Sequence, residues 1–179
     1  RPADLARDHA RGGRRDDRAP HHPLLRDACF PCGGSDHNVE PARPADGPAI
    51  RAIIERHETP TAAALLLRWW ERHPEAFAVA RDPRGEIGAL VHLAQVDAID
   101  PALLTDDPVA ATWYRHLRAA PPRPGDRVLA MRRWLGRESG EGPSAAVGAC
   151  WLDVKRVYME LRPNLSRLYS TIVDLAAQA

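Results

Sequence analysis

Two short stretches and a few single residues of this chain carry side chains whose types and spacing can do chemistry. The first stretch is Arg137-Glu138-Ser139-Gly140-Glu141-Gly142. Glycines let a backbone come close to a ligand. N–H groups at the start of a helix, with the positive end of its dipole, attract an anion. An arginine adds a charged, forked donor. Arg137, Gly140 and Gly142 together therefore read as a phosphate cradle. The plainer reading of the same residues is a polar loop that caps a buried helix.

The second stretch is Cys29-Phe30-Pro31-Cys32, with His21, His22 and His37 close in sequence. Two cysteines at this spacing make half of a zinc site, and His37 can join them. A structural site needs four ligands, and the remaining histidines lack the usual spacing, so free thiols are the competing reading. His92 can act as a general base, because an unperturbed imidazole titrates near neutrality. A hydrogen-bonded structural histidine is the alternative. Tyr169 offers a hydroxyl, or packs as aromatic strand residues commonly do. Cys150 lies on an apolar helix stripe and reads as a small core residue. Trp69, Trp70, Trp113, Trp134 and Trp151 fall on different elements with no interleaved basic patch, which favours core packing over stacking on bases.

The elements that must position these residues follow from periodicity and breakers. Residues 1–45 are rich in Arg, Asp, Pro, Gly and His and poor in large apolar side chains, so they read as a flexible tail. From Asp46 the pattern changes. Gly47-Pro48 and Thr59-Pro60 start two helices, with Ile50, Ile53, Ile54 and His57 on one buried face and Ala63, Leu66, Leu67 and Trp70 on the other. A hairpin follows: Ala76–Arg81, the turn Asp82-Pro83-Arg84-Gly85, and Glu86–Val96. The return strand is apolar on both faces, which predicts cover on both sides. Glu86 and Asp97 bracket it as solvated ends. Asp107-Pro108 starts a further helix through Trp113, His116 and Leu117. Arg127–Leu135 is a strand, Gly136–Gly142 a glycine-rich turn, Pro143–Leu161 a long helix and Leu168–Leu175 a last strand. The last three elements predict a right-handed parallel crossover. The stretch Val39–Arg43 is a poor strand candidate.

Bulk properties narrow the function classes. The 179 residues are enough for one domain and a tail, and 44% hydrophobic residues are enough for a core. The net charge of +1 gives no reason to expect a nucleic-acid partner. No apolar run is long enough to span a membrane, and residues 1–45 contain no secretory apolar region, so a cytoplasmic location is expected. Three cysteines make no disulfide framework. The only lysine, Lys155, lies within a helix and has no glycine pattern before it, so there is no P-loop. The chain opens on Arg1, which suggests a fragment or a processed product.

The stretch from Arg137 to Gly142 matches the pattern R/Q-x-x-G-x-G/A, and the element order from Asp46 to Leu175 resembles that of the GNAT acetyltransferases, from their first helices to their fifth strand. The resemblance implies a mixed α/β fold, a mixed sheet flanked by helices, over residues 46–175. It implies that Arg137, Gly140 and Gly142 contact the pyrophosphate of acetyl-CoA. It also implies attack of an amine on the thioester, with His92 and Tyr169 as candidates for the acid–base work. The family continues into another helix and two strands, and the expected absence of these leaves an open edge at the last strand, suited to self-association. The phrase from Ile50 to Val91 is further similar to a GNAT-like module of larger bacterial ATP-binding proteins, so a non-catalytic regulatory or interaction role is the rival expectation. A small metal-binding protein built on Cys29, Cys32 and His37 is a third.

Overall fold

Proline in the first turn, preceded by a capping side chain, sets most of the helix starts in this chain. The computed structural model describes residues 36–173; Cys29, Cys32, most of the tail and the chain from 174 onward lie outside them. Helix α1 spans Gly47–His57 and α2 spans Pro60–Arg72, where Thr59 Oγ1 accepts the Ala62 N–H. Helix α3, Pro101–Asp106, and helix α4, Pro108–Ala119, begin alike: Asp100 accepts the Ala102 N–H and Asp107 accepts the Val109 N–H. Helix α5, Ala145–Leu161, is capped by Ser144, whose hydroxyl accepts the Val147 N–H at 3.2 Å. Helix α3, absent from the sequence expectations, carries the same Asp-Pro signal as α4.

Five strands make one sheet in the order β1-β2-β3-β4-β5. They are β1 Asn38–Pro41, β2 Phe77–Arg81, β3 Ile87–Gln95, β4 Arg127–Gly136 and β5 Leu165–Ser170. The first three pairs are antiparallel and β4–β5 is parallel, as the crossover reading requires. One face is covered by α1 and α2, through Ile50, Ile54, Leu66, Leu90 and Leu135, and further along by α3 and α4, through Leu103, Ala110 and Trp113. The other face is covered by α5, whose Val147, Cys150 and Val154 pack on Ala89, Val91, Met131 and Trp134. The result is a mixed α/β fold with a mixed sheet between helices. Among the described residues no helix is long and apolar enough to cross a membrane.

Three sequence expectations are corrected. Val39 lies in a strand after all: Asn38–Pro41 pairs with β2, and an edge position tolerates Pro41. Its neighbour β2 anchors it through Arg81, which pairs with Glu40 and, at 2.6 Å, with Asp46. Burial opposes ionisation of Asp46, but the Arg81 hydrogen bond and the Arg43 N–H outweigh it and hold the carboxyl below its usual range. The last strand is Leu165–Ser170, so it begins before Leu168 and leaves Ile172 and Val173 outside it, because its register is dictated by β4, from Arg127↔Leu165 to Met131↔Ser170. In α2 the fully buried tryptophan is Trp69, while Trp70 is half-buried.

Candidate functional site

The glycine turn joins β4 to the N-terminus of α5. Gly136 and Gly140 exchange both backbone hydrogen bonds, at 2.7 and 3.1 Å, which closes the turn on itself. Gly140 has φ +57°, the left-handed region that glycine reaches without strain. A Cβ on Gly142 would stand 2.9 Å from the Ser139 carbonyl oxygen, so the backbone there is bare of necessity. His57, at the end of α1, holds the turn from outside: its Nε2 lies 2.9 Å from the Arg137 carbonyl oxygen. Arg137 itself extends away from the turn to Glu86, 3.2 Å off, in an exposed contact.

The parallel pairing of β4 with β5 stops at Met131↔Ser170, while β4 runs on to Gly136. Strand β5 ends there, so the two strands part company over residues 132–136 of β4, the end nearest the glycine turn. Beside the parting lies a bulge: His92 opposes Arg133 and Leu93 opposes Met131, leaving Arg132 as the extra residue. Met131 and Trp134 both pack under α5, so the two arginines between them share the opposite face. Arg132 is buried and its Nε donates to Asp107 Oδ2 at 2.6 Å; the same oxygen accepts the Trp69 Nε1–H at 2.9 Å. Arg133, also buried, pairs with Glu58 and with Glu141 of the turn. Burial lowers the pKa of Arg133 against the opposing pull of Glu58. Both Glu141 oxygens lie 3.2 Å from the Val173 N–H, so this carboxylate links the turn to the chain beyond β5.

The residues singled out in the sequence fall into separate places. Arg137, Gly140 and Gly142 are together at the turn. His92 is fully buried among Trp69, Phe77 and His73, with ring centroids at 4.8, 5.0 and 5.8 Å. Its Nδ1 accepts the Arg132 N–H at 3.4 Å. Burial first, then the neighbouring His73 and Arg132, push its pKa down to about 3. His92 is thus a neutral core residue behind the bulge, without the solvent access a base needs. Tyr169 stacks on Trp113 and its hydroxyl lies 2.6 Å from His116 Nδ1. Tyr169 pairs with Ala130, one residue before the strands part. His37 sits over Gly88, 3.1 Å from where a Cβ would be, and no metal-binding group of three side chains occurs among the described residues. Cys150 is buried, and burial, then Asp153, push its thiol up to about 12. The sequence reading missed Glu58, His116, Arg132 and Arg133. Two consecutive arginines inside an otherwise apolar strand were the available signal for the last two.

An edge strand, two helices, two antiparallel strands and a helical pair, then strand, glycine turn, helix and parallel strand define a GNAT-like fold. The C-terminal condensation domain of Ebony, solved with β-alanyl-dopamine, is similar to this chain with a TM-score of 0.50 and 13% identity, over 79% of this chain and 78% of that one. An acetyltransferase of Trypanosoma brucei is similar with a TM-score of 0.44 and 11% identity, over 78% and 84% of the two chains. A GNAT-family acetyltransferase from Listeria monocytogenes gives 0.41 and 14%, over 70% and 72%. At these identities the likeness is one of fold. No protein-family model matches the chain, and no curated protein matches it in sequence.

One feature of the turn suits an anion: Ser139 carries a buried hydroxyl with no hydrogen-bond partner. The sides of Gly140 and Gly142 that a Cβ would take are closed by His57 and by the Ser139 carbonyl. The exposed Arg137–Glu86 contact is of a kind worth little, so the guanidinium is cheaply redirected. Glu138, paired with Arg56, and Glu141, paired with Arg133, stand beside it with their charges already matched.

Proposed function

We propose that this chain is an acyl-CoA-binding domain of the N-acyltransferase type. The observation that carries the reading is the parting of β4 from β5 at the glycine turn, with the N-terminus of α5 behind it. In this reading Arg137, Gly140 and Gly142 hold the pyrophosphate of acetyl-CoA, and the cofactor supplies an activated acyl group for an amine. The unpaired edge of β4 beyond Met131 offers backbone N–H and C=O groups to a chain-like thioester arm. Tyr169, bonded to His116, is the acid–base pair nearest the parting, with His116 on an exposed helix face that can pass a proton to water. A cytoplasmic setting and an amine acceptor belong to the same proposal.

One observation favours a second reading, a non-catalytic regulatory or interaction module of a larger ATP-binding protein. Arg133 and Glu141 fill the start of the parting with a buried ion pair, and Glu141 also binds the Val173 N–H.

Calorimetric titration with acetyl-CoA, alongside thermal unfolding, tests the first reading. A ligand that prefers the folded state raises its stability. Arg137→Ala is expected to weaken binding by about 1.5–3 kcal/mol, the range for a hydrogen bond to a charged group. Gly142→Val is expected to abolish it by blocking backbone approach. No heat and no thermal shift at millimolar ligand would sink this reading; binding without transfer to any amine would favour the second.

A further inference from the structure

The sheet has a second opening, on the α5 face and at the other end from the glycine turn. It is a cleft of about 310 Å³, within the size range of small-ligand sites. Ala78, Val91, Leu93 and Leu129 form its floor, and Val157 and Leu161 of α5 its roof. The first half of α5 is buried on the sheet through Ala146–Cys150, whereas Val157 and Leu161 are only half-buried. Beneath the second half the small side chain of Ala78 leaves the space open.

The polar side chains of this lining are Glu75, Gln95, Asp153 and Glu160; no lysine or arginine is among them. Glu75 stands 3.5 Å from His73 Nε2. Arg156 holds Asp153 at 2.8 Å and Glu160 at 2.5 Å from the outside, in an exposed clip of a kind that contributes little. Three carboxylates against one exposed arginine leave the mouth acidic. Gln95 Oε1 is buried in the wall with no hydrogen-bond partner. An acidic mouth over an apolar floor repels phosphates and carboxylates and suits a cation with an apolar body. Helical rise puts Val157 about 18 Å along the axis from Ala145, so the cleft is not a continuation of the turn.

We propose that this cleft binds a small organic amine: an ammonium held by Asp153, Glu160 and Glu75, on a ring or short chain seated between Val157 and Leu93. The site is separate from the acyl-CoA reading: it lies on the α5 face of the sheet, whereas Tyr169 packs on the opposite face with Trp113.

The test titrates the full chain with phenethylamine, phenethyl alcohol and phenylpropanoate while following backbone amide resonances. The amine is expected to shift Ala78, Val91 and Val157 at millimolar concentration, the alcohol to bind more weakly and the anion not at all. Asp153→Asn with Glu160→Gln should weaken the amine about two- to fivefold per carboxylate, as exposed charge pairs do, and leave the alcohol unchanged. Val157→Trp fills the cleft from a half-exposed helix position and should abolish binding of both while the remaining resonances keep their native dispersion. Equal affinity for all three probes, shifts centred elsewhere, or no shift with the amine overturns the proposal.

Discussion

Removing the Asp107 carboxylate should unfold much of what surrounds the β4 bulge. Asp107 is 1% exposed and serves three donors: the Val109 N–H at 2.9 Å, the Trp69 indole at 2.9 Å and the Arg132 guanidinium at 2.6 Å. In Asp107→Ala the dominant loss is the charge partner of buried Arg132, which by itself costs about 3–5 kcal/mol. The lost cap of α4 adds about 1 kcal/mol. The stranded indole N–H shares the pocket of Arg132, so it is not counted again. A total of about 4–6 kcal/mol is a large part of the roughly 5–15 kcal/mol by which a domain is stable. Replacing Arg132 as well, in Asp107→Ala with Arg132→Met, removes the orphaned charge and should recover several kcal/mol of that loss. Urea unfolding of the three proteins, followed by tryptophan fluorescence, measures both steps. A single variant that loses less than about 1 kcal/mol, or a double variant no more stable than the single, would show that the pair is not buried as described.

Three further outcomes are expected. Gly140→Ala forces a side chain into the left-handed region beside His57 and should cost about 1–2 kcal/mol in the same urea assay; no loss would mean that the turn relaxes. His92 is held neutral in the fold, with its pKa lowered from 6.5 to about 3, so the unfolded chain takes up the proton first and stability falls as pH drops through that window. The contribution is at most about 1.4 kcal/mol per pH unit, and His92→Leu should flatten the acid limb of the stability curve; an unchanged limb refutes the assignment. Among the described residues β5 is an open edge with Leu168 exposed, so sedimentation should detect self-association that Leu168→Lys weakens; a wild-type monomer at all concentrations would contradict it.

The crossover from β4 through the glycine turn to β5 was readable because each part has a local cause. Alternating apolar residues marked β4, the glycines marked the turn, and an apolar stripe from Val147 to Leu161 marked α5. Strand β1 was not readable, because only Val39 of its four residues favours a strand and the pairing with β2 supplies the rest. The candidate site was legible only in its backbone. Gly140 and Gly142 announce themselves by type, but the direction of the Arg137 side chain depends on Glu86, fifty-one residues away in sequence. His92 read as a possible base because nothing in the local sequence reveals that Trp69, His73 and Phe77 enclose it. The pairing of Tyr169 with His116 likewise spans two elements that only the folded sheet brings together.

The bulge also makes chain length negotiable at one point. Elsewhere in β4, losing one residue would turn every later side chain to the wrong face, exchanging the environments of Trp134 and Leu135. Losing Arg132 would not, because Met131, Arg133, Trp134 and Leu135 would then simply alternate. What would go is the tether to Asp107, which is the buried polar tie between the sheet and residues 96–126, the excursion that carries α3 and α4. Strands β3 and β4 are antiparallel neighbours that a tight turn could join. The helical pair and the extra residue in the strand are therefore physically linked, and a chain lacking both the pair and Arg132 would keep the sheet in register.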